Sequence, residues 1–334
     1  MTIEELISYG RGVLGTLDAD AESLPNRLKV PSLRSALFIP GNRREWIRKS
    51  VRYSPDAVIL DLEDAVQPED RTAARQVVAE EIASLAAGVR AVWVRVNSSP
   101  EQLWADLDAA VRPGLTAIQL SKVHSRAAVV ELDKMLGFFE GRNGLDYGSV
   151  AIVPILETAG GVRNTYDIAM CSRRVEYVGG MVAPEGDIAT ALRLRAFSDP
   201  VGSESLYFRS KVLLEVRAAG ISCPMTGVVT DLSPDDHVFR PLAEMNRNLG
   251  YAGMLVIHPS HVAVANEIFS PSQRDIERAC KVIETIRSST GRGALRDSGS
   301  GGMIDLAMVR FAVLVLEEAI GFGLIRKEDA ASAG

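Results

Sequence analysis

Apolar runs of strand length alternate with stretches of helical periodicity along most of the chain. The predicted strands cover residues 35–39, 57–62, 91–96, 117–123, a run that begins at 151, 175–182, 221–229 and 253–258. Several runs are apolar at nearly every position, which is typical of parallel strands buried on both faces. Eight strands alternating with helices predict an α/β fold, the (β/α)8 TIM barrel. A doubly wound sheet would also alternate, but no GxGxxG motif follows the first strand.

Helical segments flank the predicted barrel at both ends of the chain. Ile3 and Leu6 have helical spacing in an N-terminal segment that we assign to residues 1–32. The barrel, which we expect to be the catalytic domain, covers residues 33–290. A Gly- and Ser-rich linker and a final apolar helix cover residues 291–334. This extension exceeds what a closed barrel needs, so we expect it to form an oligomer contact or a lid.

Composition excludes several classes of protein. With 334 residues, 47% of them hydrophobic, the chain can bury a full core. No apolar run is long enough to cross a bilayer, and the acidic N-terminus does not resemble a signal peptide, so we expect a cytoplasmic protein. A net charge of −6 and 6% aromatic residues disfavour a nucleic-acid groove. Three widely spaced cysteines indicate neither a disulfide framework nor a zinc site.

Carboxylates follow three of the predicted strands. Asp61, Glu63 and Asp64 occur at the end of the second strand. Because like charges repel when they are desolvated, a cation is their natural partner. Glu157 follows the fifth strand, and Asp187 lies in a loop that opens a helix after the sixth. The carboxyl ends of barrel strands are where ligands bind, so these are site candidates, although Glu157 could also be an ordinary helix cap.

The sequence predicts a hard divalent cation at these strand ends. Glu157 and Asp187 are the candidate ligands, and Glu63 and Asp64 are a further acidic pair close to them. Because no cluster of Cys or His accompanies them, Mg²⁺ fits best, with Mn²⁺ as the alternative. Such an ion leaves coordination positions for substrate oxygen atoms and acts as a Lewis acid.

Cationic side chains also lie near the predicted strand ends. Arg95 can bind a carboxylate or a developing enolate oxygen with its planar fork of donors. Lys122 is a candidate for the substrate pocket, and a Schiff base at its amine is a rival hypothesis that would require a desolvated amine. Pro184, Glu185 and Gly186 form a loop that we also expect to line the pocket.

Three arginines flank the first strand. Arg34, Arg43 and Arg44 are candidates for binding a ligand that carries phosphate, because cations beside a βα loop suit an anionic ligand. A solvated helix face is the simpler explanation for such a cluster of charge.

Together these side chains suit a reaction that makes or breaks a carbon–carbon bond next to a carbonyl. A base removes a proton from a hydroxyl, the resulting oxo-acid is held at the ion, and an enolate leaves on the other fragment. Stabilisation of the enolate charge is then the main catalytic effect. No GxSxG or Cys/His signature supports a hydrolase of the triad type.

Six segments in sequence order resemble the HpcH/HpaI aldolase and citrate lyase β-subunit (CitE-like) family: RSALFIPGNR, AVILDLEDAVQPEDRTAAR, VWVRVNS, PILETAGGV, EGD and IHPSHV. The resemblance covers about residues 33–310 and implies a (β/α)8 barrel, a Mg²⁺ ion and a homo-oligomer, a trimer or a hexamer. It places Glu157 and Asp187 on the metal ligands of the family and Arg95 on its substrate arginine. The segment GGMIDLA resembles a motif of longer, CoA-ester members, which implies a catalytic acid/base role for Asp305. The alternative for Asp305 is an acid in a first helical turn.

The C-terminal extension makes the chain more similar to malyl-CoA or citramalyl-CoA lyases than to the shorter citrate lyase subunit. The resemblance therefore implies a lyase that cleaves or forms a 3-hydroxyacyl-CoA, with a small 2-oxo-acid and an acyl-CoA as partners. The alternatives are an aldolase of free 2-oxo or hydroxy acids, and a citrate-lyase-type β subunit that works with an acyl-carrier partner. Family members usually have Leu-Pro-Lys where this chain has Leu120, Ser121 and Lys122, so the loop after the fourth strand differs.

Overall fold

The protein is described by a computed structural model over residues 1–15, 27–179, 186–194, 203–227, 229–230, 232, 237–288, 295–296 and 303–330. The chain forms two compact units. The smaller unit comprises Met1–Ser23 and Ser270–Gly334, and the larger unit comprises Leu24–Phe269. All of the predicted barrel strands belong to the larger unit.

The larger unit is a barrel of eight parallel strands, as predicted. Its strands are β1 (Ser35–Pro40), β2 (Ala57–Asp61), β3 (Ala91–Val96), β4 (Ala117–Leu120), β5 (Ala151–Pro154), β6 (Tyr177–Val178), β7 (Cys223–Thr226) and β8 (Gly253–Val256). Strands that are consecutive in sequence pair in parallel from β1 to β5 and from β6 to β8, and β1 pairs with β8. Parallel bridges from Ile152 to Val175 and from Ile155 to Gly179 join β5 to the segment of β6. The TIM-barrel prediction is thereby confirmed.

The described part of the chain also contains thirteen α-helices. They are α1 (Ile3–Gly15), α2 (Arg44–Ser50), α3 (Arg71–Ala86), α4 (Pro100–Ala110), α5 (Arg126–Arg142), α6 (Ala159–Arg163), α7 (Thr165–Met170), α8 (Asp187–Leu192), α9 (Ser203–Ala218), α10 (Phe239–Leu249), α11 (Ser260–Ile268), α12 (Gln273–Ser288) and α13 (Leu306–Gly321). Of these helices, α2 to α11 belong to the larger unit. The helical segment that follows β5 is divided into α6 and α7, which meet at Asn164. The helix α10 was not predicted from the sequence, although its buried Phe239, Leu242 and Ala243 have helical spacing.

Alternate residues of the strands point into the barrel and decide which side chains reach its carboxyl end. Trp93 of β3 and Tyr177 of β6 belong to the inner cluster, and their ring centroids are 4.7 Å apart. Because side chains alternate along a strand, Arg95, two residues beyond Trp93, also points inward. Asp61 is the partner of Arg95 in the register of β2 and β3. The two side chains therefore meet inside the carboxyl end of the barrel.

The segment before β1 closes the amino end of the barrel. Arg27 donates hydrogen bonds to the main-chain oxygens of Val175 and Ala219, each at 2.6 Å. The hydroxyl of Tyr177 donates to the carbonyl oxygen of Pro31 at 2.8 Å. These bonds tie the segment to the strand β6 region and to the end of α9, which leaves the carboxyl end for ligands.

The smaller unit is built from α1, α12 and α13, whose buried side chains form one apolar cluster. Leu6, Ile283 and Leu316, one from each helix, are completely buried. The segment predicted to be a linker also contains β9 (Leu295–Arg296), which pairs antiparallel with β10 (Met303–Ile304). Among the described helices of the protein, none is long and apolar enough to cross a membrane.

Candidate functional site

Arg95 is held by three carboxylates at the carboxyl end of the barrel. Its Nε donates to Asp61 at 2.7 Å, and its Nη2 pairs with the second oxygen of the same carboxylate. Its Nη1 lies 3.2 Å from Asp64 and 3.3 Å from Glu63. The guanidinium also lies 5.0 Å above the ring of Phe38. Burial alone would lower the pKa of Arg95, but the bonds and charges of the carboxylates raise it, so the fork is permanently charged and firmly oriented.

Lys122 extends its ammonium group over the same acidic cluster. Its Nζ lies 3.4 Å from Glu63, 3.6 Å from Asp64 and 3.6 Å from Asp187. Burial alone would lower the pKa of Lys122, but these three carboxylates raise it. A Schiff base requires the neutral amine, and the contacts favour the charged form, so they argue against that chemistry at Lys122.

Glu157 lies in the loop that follows β5, next to the loop of Lys122. Its Oε1 accepts a hydrogen bond from the main-chain N–H of Lys122 at 2.8 Å. Burial raises the pKa of Glu157 to about 7, and the charges of Asp187 and Glu63 also raise it. Burial likewise raises the pKa of Glu63. Two carboxyl groups that are costly to ionise in the same place indicate that a cation belongs with them.

The cluster carries more negative than positive charge. It combines five carboxylates with two cations: Asp61, Glu63, Asp64, Glu157 and Asp187 with Arg95 and Lys122. With every group ionised the sum of five negative and two positive charges is −3. The structure thus brings together seven residues singled out from the sequence, and it shows that Asp61 orients Arg95.

The donor set fits a hard divalent cation. Within the described ranges, no three or more His, Cys, Asp or Glu side chains are arranged to hold a metal ion. Glu157 and Asp187 would therefore supply only two protein ligands, both of them carboxylate oxygens. Mg²⁺ commonly binds in this way, with one or two carboxylates and with water or substrate oxygens in its other positions.

A cleft of about 570 Å³ opens beside Asp61 and Arg95. Its walls come from β1, α2 and the residues that follow β8. Lys49 and the half-exposed rings of Trp46 and Tyr53 line the part formed by α2 and the turn after it. The cleft therefore offers aromatic surface and positive charge within reach of Asp61 and Arg95.

The three arginines proposed for CoA or phosphate lie in different surroundings. Arg34 lies before β1, at the amino end of the barrel, and binds Asp56 through Nε at 2.7 Å and through Nη2 at 2.8 Å. Because Arg34 lies at the amino end and its charge is paired with Asp56, the structure does not bring it to the carboxylates at the carboxyl end. Arg44 pairs with Glu80 and Glu81 of α3, so its charge is already neutralised.

Arg43 is the arginine of this group that lies beside the cleft. Its guanidinium is 5.6 Å from the ring centroid of Trp46. The main-chain oxygen of Arg43 accepts from the N–H groups of Trp46 and Ile47 as α2 begins. Its exposed side chain can reach a ligand that leaves the cleft.

The remaining candidates are Pro184, Glu185, Gly186 and Asp305. Pro184 and Glu185 lie outside the described residues, whereas Gly186 directly precedes α8, the helix that Asp187 begins. Asp305 belongs to the smaller unit, where its carboxylate accepts a hydrogen bond from the N–H of Met308 at 3.2 Å. Asp305 is therefore the N-cap of α13, one position before the first helical turn that was considered as its alternative, and a catalytic role for it remains a proposal.

Sequence reasoning did not assign a role to Lys49, Trp46 or Tyr53. Trp46 and Tyr53 were detectable as aromatic residues that interrupt a charged, exposed helix, where large rings are unusual. Only the fold shows that they face the same cleft as Asp61 and Arg95, because these residues come from three different βα units.

Comparison with known proteins shows which family and which relatives the chain resembles. Residues 34–259 match the family model described as HpcH/HpaI aldolase/citrate lyase. A citrate lyase subunit beta-like protein of Deinococcus radiodurans is 36% identical over 288 residues, which are 85% of this chain and 96% of the relative. An L-malyl-CoA/beta-methylmalyl-CoA lyase of Cereibacter sphaeroides is 28% identical over 305 residues, which are 86% of this chain and 94% of the relative.

A solved structure shows the same architecture. The crystal structure of CitE from Mycobacterium tuberculosis, in complex with magnesium, acetoacetate and coenzyme A, superposes with a TM-score of 0.66 at 26% identity. The match covers 87% of this chain and 99% of that chain. That protein binds a divalent cation, a small oxo-acid and coenzyme A together.

Proposed function

The chain belongs to the HpcH/HpaI aldolase/citrate lyase family and is a carbon–carbon lyase, and from this premise we propose that it cleaves or forms a 3-hydroxyacyl-CoA with the help of Mg²⁺. Malyl-CoA and citramalyl-CoA are the model substrates, and cleavage gives an acyl-CoA and a 2-oxo-acid. The observation that carries the proposal is that one cleft joins the Asp61–Arg95 pair to the aromatic and cationic surface of α2. A CoA ester needs both the charged pair and the aromatic, cationic surface, because its reacting end is small and charged and its nucleotide end is aromatic and anionic.

Glu157 and Asp187 would hold the cation, and Glu63 and Asp64 would lie next to it. When bound, the ion supplies Lewis-acid polarisation of the oxygens of the oxo-acid. The excess negative charge of the cluster supports this assignment, since a divalent ion would reduce it from −3 to −1.

Arg95 would bind the substrate. Three of its N–H groups already bond to Asp61 and Asp64, and a guanidinium has five, so two remain for a ligand. These can donate to the carboxylate of the oxo-acid or to the oxygen on which charge develops. Because Asp61 fixes the fork beforehand, little reorganisation is needed when that charge appears.

In the proposed cleavage, two proton transfers accompany the breaking of the carbon–carbon bond. A base takes the proton of the 3-hydroxyl, and that oxygen becomes the carbonyl oxygen of the 2-oxo-acid. The electron pair of the broken carbon–carbon bond stays on the acyl fragment as an enolate. An acid then protonates the enolate carbon and releases the acyl-CoA. We assign this acid/base role to Asp305, on the motif GGMIDLA in which it lies.

Asp305 lies at the start of a helix that has exposed apolar side chains. In α13, Val309, Ala312 and Leu316 face the apolar cluster of the smaller unit, whereas Phe311 and Leu314 are 71% and 52% exposed. An apolar face of this kind suits contact with a second copy of the chain. We therefore propose a homo-oligomer, a trimer or a hexamer, in which Asp305 acts in the site of a neighbouring subunit.

Mixing inactive variants tests this shared site. Asp305→Asn and Glu157→Gln are each expected to be inactive alone. If each site combines residues of two subunits, oligomers reassembled from a mixture contain some complete sites, and activity returns. A mixture that exchanges subunits but stays inactive would place Asp305 in the site of its own chain or outside catalysis.

CoA would occupy the cleft of α2. The ring of Trp46 offers a stacking surface for the adenine of CoA, and the charges of Lys49 and Arg43 suit the phosphates of CoA. Arg43 is the one arginine of the original three that we retain for this role.

Calorimetric titration tests the substrate class directly. Pyruvate, glyoxylate and oxaloacetate are titrated into protein with and without Mg²⁺, followed by acetyl-CoA or propionyl-CoA. We expect an oxo-acid to bind only with the cation, and an acyl-CoA to bind as well. Trp46→Ala and Lys49→Gln should weaken acyl-CoA binding without affecting the oxo-acid. The matched controls are Tyr207→Ala and Lys134→Gln, exposed residues of α9 and α5, which should change neither.

The other outcomes identify the alternative functions. Binding of an oxo-acid without any acyl-CoA would indicate an aldolase of free 2-oxo or hydroxy acids. Absence of both would favour a citrate-lyase-type β subunit that needs an acyl-carrier partner, a function suggested by relatives described as citrate lyase subunit beta.

A further inference from the structure

The backbone of Lys122 has an uncommon conformation. Among the described residues other than glycine, three have positive φ: Ser54 at 55°, Lys122 at 57° and Arg193 at 56°. Ser54 and Arg193 each end a helix, where a left-handed residue is ordinary. Lys122 follows β4 and ends no helix. Its left-handed backbone is sterically unfavourable for a residue with a Cβ, so something else in the structure must require it.

The conformation directs the main-chain N–H of Lys122 to Glu157. This N–H donates to Oε1 at 2.8 Å, and it is the one hydrogen bond that the described part of the chain gives this carboxylate. Of the charges around the carboxylate, those of Asp187 and Glu63 repel it and that of Arg95, which has the smallest effect, attracts it, but none of them donates a hydrogen bond to it within the described residues. Its direction therefore depends on a single amide.

Close contacts hold the loop of Lys122 against the loop that follows β5. The N–H of Val123 donates to the main-chain oxygen of Ile155 at 3.3 Å, and the hydroxyl of Thr158 donates to that of Val123 at 3.3 Å. A Cβ at Gly161 would lie 2.2 Å from the oxygen of Val123, so only glycine permits this approach. With both loops anchored, a change in the backbone angle of Lys122 alters the position of its N–H directly.

We infer that Lys122 is a positioning residue, whose left-handed main chain aims the carboxylate of Glu157 at the cation and thereby sets the affinity of the site for Mg²⁺. The inference rests on the proposed function, in which Glu157 is a ligand of the cation. The ammonium group is not part of this role, because it contacts Glu63, Asp64 and Asp187 instead.

Four uncharged replacements separate the main chain from the side chain. Gly and Asn accept a left-handed backbone readily, whereas Val and Thr are β-branched and resist it. All four remove the ammonium, so differences between the two pairs report the backbone. Calorimetric titration with Mg²⁺ alone, in protein freed of metal by a chelator, measures the affinity without any need for turnover.

We expect Lys122→Gly and Lys122→Asn to bind Mg²⁺ at least ten-fold more tightly than Lys122→Val and Lys122→Thr. Equal affinity in all four would overturn the inference. Thr is expected to disturb the left-handed backbone less than Val does. If Lys122→Val does not fold, the comparison of Lys122→Thr with Lys122→Asn remains decisive. Circular dichroism and thermal unfolding of each variant establish that the fold is retained.

Ser54→Val is the control for strain alone. It forces a β-branched residue into a left-handed position at the end of a short 3₁₀ helix, before β2 and away from the carboxylates. It should lower thermal stability and leave Mg²⁺ affinity unchanged. A loss of affinity as large as that of Lys122→Val would refute positioning through Glu157. If the wild-type protein itself binds no Mg²⁺, the proposed function fails, which is a different result from equal binding by the four variants.

Discussion

Replacing Glu176 with glutamine is expected to stabilise the protein at pH 8, and the gain in stability is expected to be much smaller at pH 5. Glu176 is buried at the amino end of the barrel. Its Oε2 accepts from the hydroxyl of Ser222 at 3.3 Å, its Oε1 lies 3.9 Å from Nε of Arg27, and no described residue donates a hydrogen bond to this Oε1. Burial raises the pKa of Glu176 to about 7, more than the charge of Arg27 lowers it.

The direction of the pH effect follows from proton binding in the two states. In the unfolded chain the carboxyl group titrates near its ordinary pKa of about 4.3. Between about pH 4.3 and pH 7 the folded protein keeps a proton that the unfolded chain has lost, so raising the pH through this range favours unfolding. Each pH unit costs about 1.4 kcal/mol. Compared with a side chain that never ionises, Glu176 therefore lowers the free energy of unfolding by an amount on the order of 3 kcal/mol at pH 8, and on the order of 1 kcal/mol at pH 5.

Glutamine removes this cost because it has a similar shape and does not ionise. Chemical denaturation of both proteins at pH 5, 6, 7 and 8, in the presence of a chelator, gives the difference in the free energy of unfolding. That difference should grow by about 2 kcal/mol from pH 5 to pH 8. A difference that is constant over this range, or a glutamine variant that is less stable at pH 8, would refute the reasoning.

Glu140 provides the matched control with the opposite sign. It is fully buried like Glu176, but Arg174 donates to both of its oxygens at 2.6 and 2.7 Å, and the N–H groups of Gly148 and Val150 donate at 2.8 and 2.9 Å. Burial alone would raise the pKa of Glu140, but these bonds lower it. Glu140→Gln should therefore destabilise the protein at pH 7 by about 3–5 kcal/mol, as expected when one partner of a buried ion pair is removed.

Three further predictions concern catalysis. Glu157→Gln or Asp187→Asn should abolish Mg²⁺-dependent activity while circular dichroism shows an intact fold, and metal-dependent activity retained in both would contradict the ligand assignment. Arg95→Lys should lower kcat/KM about 10²-fold or more, because an ammonium cannot make the bidentate bond to Asp61 and still offer donors to substrate; near wild-type kinetics would exclude the guanidinium from the site. Asp305→Asn should retain thermal stability, since Asn also caps helices, and lose about 10²–10⁴-fold in kcat. A variant of Asp305 that loses stability and activity together would point to capping alone.

The local pattern of the sequence was sufficient for the barrel and for most of its carboxyl end. A near-continuous apolar run such as that of β2 is typical of a strand inside a parallel sheet, and eight strands separated by helices favour a (β/α)8 barrel. Once the fold is known, the residues after each strand must meet at one end. Glu63, Arg95, Lys122 and Asp187 were found in this way, although they come from four different βα units.

The smaller elements were harder to recognise. The helix α10 was overlooked because its apolar stripe, Phe239, Leu242 and Ala243, is short and lies between charged residues. The interruption between α6 and α7 has no Gly or Pro at Asn164 to signal it. Short periodic segments contain too few positions for a reliable distinction between helix and loop.

The sequence by itself determined the fold and the kinds of side chain at its open end, whereas the tertiary structure alone decided how their charges are paired. Arg34 and Arg44 looked as available as Arg43, but Asp56, 22 residues from Arg34, and Glu80, 36 residues from Arg44, neutralise them. The left-handed backbone of Lys122 likewise depends on its neighbour in the next loop. Local periodicity reports burial, which is a property of each residue, but charge pairing and pKa depend on distances between residues far apart in the chain.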